Sequence, residues 1–591
     1  YLMSRLLIGR GAVALVGVGS GGGLYGYQRA KDEFGEDALE RMISHERVAI
    51  PAILEYKLCE LKYEKLPAAF PGVFPKPSEE DYALELDELH KKWAPLLFDK
   101  FMELGGFYYK SGQKVAANQG GVVPPHYVDM FQPFLNDIPP RDIAKVREVI
   151  EGELNGEPLE SVFSWFEETP LGCASIGQAH RARLKSDGRR VVVKVQNPEA
   201  ERTFVGDVFA LRVLVDNFFP QMTPAFDEIQ RQFATEFDYR GECANAQEIR
   251  HNLLEKRGEL FPEVIVPRVF PELCTKRLMV MEEVYPSIPL HHALDRMADS
   301  IARSRGITKE QFIRQSEDEI REQAASGTQL YPSISQRAYD RYIRLDNARR
   351  ALGRAISALP FLGSRENDVP TTTMINAAKL VDLLFKVHGH EILVDGCFNA
   401  DPHPGNILYL EGKLGLIDYG QVKRLTESER LAVARVIVLV GAAIKLDPRT
   451  DPDVDPESHA RAKASVARCM SKLGGRMTRD DPEVAYEMGT VYFGRCDAAW
   501  LYPRNLIQFA DEMQRRDPLK SLDDVEYFVM TCQATLMLRG LAEVLRQPRN
   551  LAEVWKPLAR QALAEKGLLA DLDAEILSWT TKVEDAPPPS S

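Results

Sequence analysis

Two short blocks in the second half of the chain constrain it more than any other feature. Phe398-Asn399-Ala400-Asp401-Pro402-His403-Pro404-Gly405-Asn406 is followed by Leu416-Ile417-Asp418-Tyr419-Gly420. Asp401 and Asn406 stand in D-x₄-N spacing, and Asp418 comes twelve residues after Asn406 at the head of Asp-Tyr-Gly. Between them Ile407–Leu410, Glu411-Gly412-Lys413 and Leu414–Ile417 read as strand, turn, strand, a hairpin that returns Asn406 and Asp418 to one place. Phosphoryl transfer asks for this set: one carboxylate to orient the attacking hydroxyl, and an amide oxygen and a second carboxylate to hold Mg²⁺ against the phosphates. Aspartate and asparagine are also ordinary loop residues. That plainer reading leaves the agreement of spacing, hairpin and glycine unexplained. The blocks therefore predict a nucleotide site with Asp401 catalytic and Asn406 and Asp418 as metal ligands.

In protein kinases, which use the same set, a phosphate-covering loop and a strand lysine lie upstream. Here Pro170-Leu171-Gly172-Cys173-Ala174-Ser175-Ile176-Gly177-Gln178 leads into Ala179–Leu184 and Arg190–Val195, two strand-like runs joined by Lys185-Ser186-Asp187-Gly188-Arg189. Lys194 alternates with valines, which lets its ammonium face phosphates while they pack. A lone lysine in such a strand is more often a snorkelling edge residue, but the order loop, hairpin, lysine favours the functional reading. Ala174, Ser175, Ile176 and Lys194 are thus nucleotide-binding candidates, joined by Glu282 and Val284 on the strand candidate Leu278–Val284. Glu236-Phe237-Asp238-Tyr239-Arg240-Gly241-Glu242 offers acids to hold the lysine. Glu236 and Glu242, six apart, cannot share a helical face well and serve different partners.

Composition excludes several classes. With 591 residues, 45% apolar and 27% charged, the chain has material for a large core and more than one domain. A net charge of −13 gives no sign of a nucleic-acid partner. The eight cysteines are scattered without metal-ligand spacing, which fits reduced thiols rather than zinc or a disulfide framework.

The chain opens at Tyr1, as a fragment or a processed product would. Residues 1–31 carry Arg5, Arg10, Arg29 and Lys31 and no acid, like an organellar transit segment. Gly11–Gln28 holds 18 uncharged residues, at the low end of what spans a bilayer; seven are glycine, some at the small-xxx-small spacing that lets membrane helices associate. A flexible leader is the alternative. Flanks and length favour targeting or membrane insertion, with self-association through that segment.

Five blocks resemble the UbiB family of atypical kinase-like proteins, also called aarF-domain-containing kinases: A-S-I-G-Q at 174–178, V-V-V-K-V at 191–195, E-F-D-Y-R-x-E-x-x-N at 236–245, A-D-P-H-P-G-N at 400–406 and L-I-D-Y-G at 416–420. Lys110-Ser111-Gly112-Gln113 is similar to the family's K-x-G-Q signature. The resemblance implies an α+β, protein-kinase-like bilobal fold using ATP and Mg²⁺, with Lys194 the phosphate lysine and Glu242 its partner. It also implies that Glu236 and Asp238 form an E-x-D motif facing Lys110 and Gln113, on a helix lying where an ordinary kinase accepts a peptide.

The chain departs from the family pattern in places. Gly172 and Cys173 replace part of an alanine-rich loop, Asn399 stands where histidine is usual, and no arginine precedes Asp401. Only five residues separate Gly420 from the capping-box signal Thr426-Glu427-Ser428-Glu429, leaving little platform for a protein substrate. Val284 to Asp401 spans 117 residues, long for the two helices expected there, so about 293–365 reads as a solvated insertion.

The expected organisation is a targeting or membrane segment (1–31), a helical extension (32–160), an N-lobe and hinge (161–290), an insertion (291–370), a helical C-lobe (371–583) and a disordered tail (584–591). The resemblance implies an ATPase or kinase exchanging ATP for ADP, with a membrane lipid or lipid-like substrate and a part in isoprenoid quinone or lipid homeostasis. Its expected address is the mitochondrial inner membrane, with a plastid as the alternative. A small-molecule phosphotransferase and a nucleotide-binding pseudokinase scaffold are the competing functions.

Overall fold

The computed structural model describes residues 36–581 apart from 71, 75–77, 118–123, 137, 175, 219–225, 227–229, 231–235, 327–334, 342, 346–347, 349–374, 411, 474–475, 496, 505 and 522–525. The expected membrane segment Gly11–Gln28, Ser175 and the tail fall outside the described residues. Among those described, no helix is long and apolar enough to cross a membrane, and the seven cysteines are free thiols. Two compact units emerge, one of Tyr1–Gly241 with Phe270–Glu283, the other of Glu242–Val269 with Val284–Ser591.

The first unit is built on an antiparallel sheet in the order Phe163–Phe166, Gly177–Leu184, Arg190–Gln196, Leu278–Glu282, with Gly172–Cys173 paired to the second strand. Alternation along Arg190–Gln196 explains its place: Val191, Val193 and Val195 are buried, and Lys194 takes the opposite face. The three valines pack with Val146, Val149, Ile150, Phe163, Leu278 and Val280; each buried aliphatic side chain contributes about 1.5–3 kcal/mol. Helices Glu36–Glu60, Glu79–Leu104 and Phe107–Ala117 precede the sheet in the chain, and Ala200–Phe218 follows its third long strand. Arg41 joins three of them, donating to the fully buried Asp207 at 2.7 and 2.8 Å and to the Leu104 carbonyl at 2.6 Å.

The second unit is mainly helical. Its sheet runs Val264–Ile265, Lys413–Leu416, Ile407–Leu410, Ile288–Pro289. The expected hairpin is present, with Leu416 opposite Ile407 and Lys413 opposite Leu410. A separate ladder pairs Cys397–Asn399 with Val422–Arg424. The second half of helix Glu427–Ala443 lies in the core, with residues Val436 to Val440 wholly buried. Its start is the capping box read from the sequence: the Glu429 N–H donates to Thr426 Oγ1 at 3.3 Å, and the Thr426 N–H donates to Glu429 Oε2 at 2.7 Å. The charged stretch before residue 326 is ordered as Leu290–Ser304 and Lys309–Ala325, and Arg546 bonds Glu319 at 3.0 Å. A small ladder, Arg476–Met477 with Leu519–Ser521, interrupts the helices where only helical texture was expected.

Candidate nucleotide site

In the first unit, the loop ahead of the hairpin is closed by main-chain bonds, Leu171 N–H to Ala179 O and Ala174 N–H to Gly177 O, both 2.7 Å. The Asn197 N–H donates to Ile176 O at 2.7 Å, which fixes the loop's far side. Lys194 sits in register between Ala179 and Met279, its Nζ 5.3 Å from the centroid of the Tyr239 ring. Such a cation–π contact is worth about 0.5–2 kcal/mol and holds the ammonium on the loop's face of the sheet.

Gly177 is required here by space. A Cβ would lie 2.5 Å from both the Val195 carbonyl oxygen and the Tyr239 hydroxyl. The carbonyl belongs to the sheet and cannot yield. Gly177→Ala is therefore expected to cost about 2 kcal/mol, read as a lower denaturation midpoint, and to weaken nucleotide binding with it.

Gln178 and His180 are site-supporting residues to which the sequence reading gives no role. Buried His180 places Nδ1 2.8 Å from the Glu167 carbonyl and Nε2 2.9 Å from the Gln178 amide nitrogen; Gln178 Oε1 accepts the Arg141 N–H at 2.8 Å. Burial pushes His180 below the usual imidazole range. The neutral ring then donates from Nδ1 and accepts at Nε2, so the loop strand is tied to the segment before it.

Lys110 lies 3.4 Å from both carboxylate oxygens of Glu236. Gln113 and Asp238 have hydrogen-bond partners outside that motif pair. Gln113 donates to the Phe134 carbonyl at 3.1 Å, and Asp238 is held by Arg240 at 2.6–3.2 Å. Arg240 is two residues from Asp238 and needs no chain closure to reach it, whereas Gln113 is drawn to an open carbonyl beside its own helix. A Cβ on Gly112 would enter the Phe134 ring at 2.6 Å, so close packing accounts for that glycine.

In the second unit, the Asp418–Tyr419 turn is clamped by two asparagines. Asp418 has φ +67°, a left-handed conformation that costs a residue with a Cβ about 1–3 kcal/mol. Asn399 Nδ2 donates to the Asp418 carbonyl at 3.1 Å, while its Oδ1 accepts the Asp401 N–H at 2.9 Å. Asn245 Nδ2 donates to the Tyr419 carbonyl at 2.9 Å, while its Oδ1 accepts from Arg424 at 2.9 Å. Arg424 also grips Glu248 at 2.6 and 3.0 Å. Consecutive carbonyls of the turn are thus held from both sides. Asn406 donates to the Asp401 carbonyl at 3.4 Å and Ile417 to the Asn406 carbonyl at 3.0 Å, which leaves the Asn406 amide oxygen as its donor to a cation.

Asp418 and Asn406 could supply hard oxygen ligands, the kind Mg²⁺ takes in ones and twos while phosphates and water complete its shell. Among the described residues no cluster of three or more His, Cys, Asp or Glu could hold a metal alone, so the donor set fits an ion brought in with phosphate. Beyond Gly420 the chain enters the strand Val422–Arg424 directly, and the Leu425 N–H bonds Gly396 O at 2.6 Å. Only Gln421 separates Gly420 from that strand.

Beneath the Cys397–Asn399 strand lies Glu391, wholly buried, its carboxyl pushed up to about 8 by burial although the Asn399 N–H opposes the shift. Buried His388, its Nε2 4.0 Å away, is pushed down to about 4. Folding therefore requires Glu391 to take up a proton at any pH between about 4.5 and 8, and this group's contribution to stability falls as pH rises through that window. Glu391→Gln is expected to raise the melting temperature, more at pH 8 than at pH 5; equal shifts at both would contradict a protonated Glu391.

The sequence profile of the ABC1 atypical kinase-like domain matches residues 134–315 and 362–447. Those ranges contain Ala174, Lys194, Asp401, Asn406 and Asp418. The chain belongs to the ABC1, or UbiB, family of atypical kinase-like proteins. The ABC1 match breaks off between 315 and 362, inside the expected insertion. An uncharacterized protein of Synechocystis sp. is 25% identical over 396 residues, covering 65% of this chain and 75% of that protein. AarF domain-containing protein kinase 1 of Xenopus laevis is 27% identical over 363 residues, covering 60% of this chain and 54% of its own length. A solved structure described as the complex of Rv3197 with erythromycin, from Mycobacterium tuberculosis, is 19% identical, with TM-score 0.38, covering 79% of this chain and 97% of that one.

Of the expected site residues, Ala174, Ile176, Lys194, Glu236, Asp238, Lys110, Gly112, Gln113 and Glu282 fall in the first unit; Glu242, Val284, Asp401, Asn406 and Asp418 fall in the second.

Proposed function

We propose that this ABC1 protein is an ATP-dependent atypical kinase or ATPase that binds MgATP and acts in isoprenoid quinone or lipid homeostasis at an organellar membrane, the mitochondrial inner membrane first. The observation that carries the nucleotide part is the clamped turn, where Asn399 and Asn245 bond the successive carbonyls of Asp418 and Tyr419. In this reading Lys194 binds the phosphates and Glu242 holds Lys194. Mg²⁺, when bound by Asn406 and Asp418, supplies charge neutralisation at the phosphates. Asp401 orients the acceptor hydroxyl or a water and takes its proton. The little platform left for a peptide supports a small or lipid-like acceptor over a protein. The basic, acid-free residues 1–31 and the uncharged Gly11–Gln28 support the organellar address.

The test is phosphate release from MgATP with and without liposomes. Turnover that rises with lipid supports the proposal. Nucleotide binding with no turnover under either condition favours a scaffold instead.

A further inference from the structure

The helical part of the second unit contains a cavity of about 480 Å³, lined by none of the residues assigned to the nucleotide site. That volume is in the range of small-molecule sites. Three cations line it: Arg435 from Glu427–Ala443, and Arg468 and Lys472 from Pro456–Leu473. Of its two carboxylates, Glu429 is committed to the Thr426 N–H at its own helix end. The other, Glu575 on Leu569–Ser578, accepts from Arg435, from Ser465 Oγ, and from Arg468 at 3.4 Å. A carboxylate from the last described helix therefore already occupies one anion position. Lys472 follows Arg468 by four residues on the same helix face, and among the described residues it has neither an ion pair nor a hydrogen bond.

We propose that this cavity is a second ligand site, for a small phosphorylated compound whose phosphate sits between Arg468 and Lys472. Glu575 ties both guanidiniums to one carboxylate at the solvent-open side of the cavity. A guanidinium fork beside an ammonium matches a phosphate group, and the three cations exceed the two carboxylates of the lining. The concave wall suits a soluble phosphate ester; a lipid phosphate headgroup presents the same chemistry.

Acylation of Lys472 in the full chain, followed by peptide mass spectrometry with millimolar pyrophosphate or glycerol phosphate, tests this. Protection should reach about fivefold at saturation, because a phosphate-bound ammonium is withheld from reaction. It should persist in Asp418→Asn and in Arg468→Lys, which keeps the charge, and be lost in Arg468→Gln. Protection by phosphatidate vesicles alone would support the same chemistry on a headgroup. Lys472 reactivity unchanged by every phosphate, or protection lost in Asp418→Asn, would overturn the proposal, the latter by moving the anion to the nucleotide site.

Discussion

Asp418→Asn is expected to lower phosphate release from MgATP by about 10³-fold, the scale of losing one charged stabiliser of a transition state. The reason is local. The clamp acts on main-chain carbonyls, so the amide variant keeps the turn and its bond to the Gly420 N–H, which Asp418 Oδ1 accepts at 3.2 Å. What it loses is the negative charge facing the cation. Melting temperature should therefore hardly change while turnover collapses, and added Mn²⁺ should restore little. A variant that melts early would point to a structural role instead.

Asn399→Ala is expected to have the second largest effect. It removes the donor to the Asp418 carbonyl and the acceptor for the Asp401 N–H together, each a group whose loss of partner costs about 1–3 kcal/mol when buried. Relaxation of the left-handed Asp418 should raise the Mg²⁺ concentration for half-maximal turnover by about tenfold, at 1.4 kcal/mol per decade, and lower the maximal rate as well. Asn399→His, which restores one donor and one acceptor, should recover much of both. Unchanged Mg²⁺ dependence in Asn399→Ala would show that the turn stands without the clamp.

The sequence was most legible where chemistry dictates spacing. The D-x₄-N block, the hairpin and Asp-Tyr-Gly imply one another, and the strand Arg190–Gln196 follows from period-two alternation around Lys194. Less legible were contacts between residues far apart in the chain. Asn245 and Asn399 stand in the motifs, yet nothing in their spacing says that each bonds one carbonyl of the same turn, because for Asn245 that depends on a helix and a turn meeting 174 residues apart. The bond of Gln113 to a carbonyl 21 residues away is of the same kind, and its motif gives no sign of it. The Arg435, Arg468 and Glu575 group was invisible, since three charges on three helices look like solvated faces until the helices pack.

The central claim, that this chain holds a nucleotide through a divalent cation at Asn406 and Asp418, is tested most directly by calorimetric titration with ATP in Mg²⁺ and in EDTA. The account predicts binding at least about tenfold tighter with Mg²⁺, a difference of 1.4 kcal/mol, and no such gain in Asp418→Asn. Equal affinity in EDTA and in Mg²⁺, or a full Mg²⁺ gain retained by the variant, would contradict it.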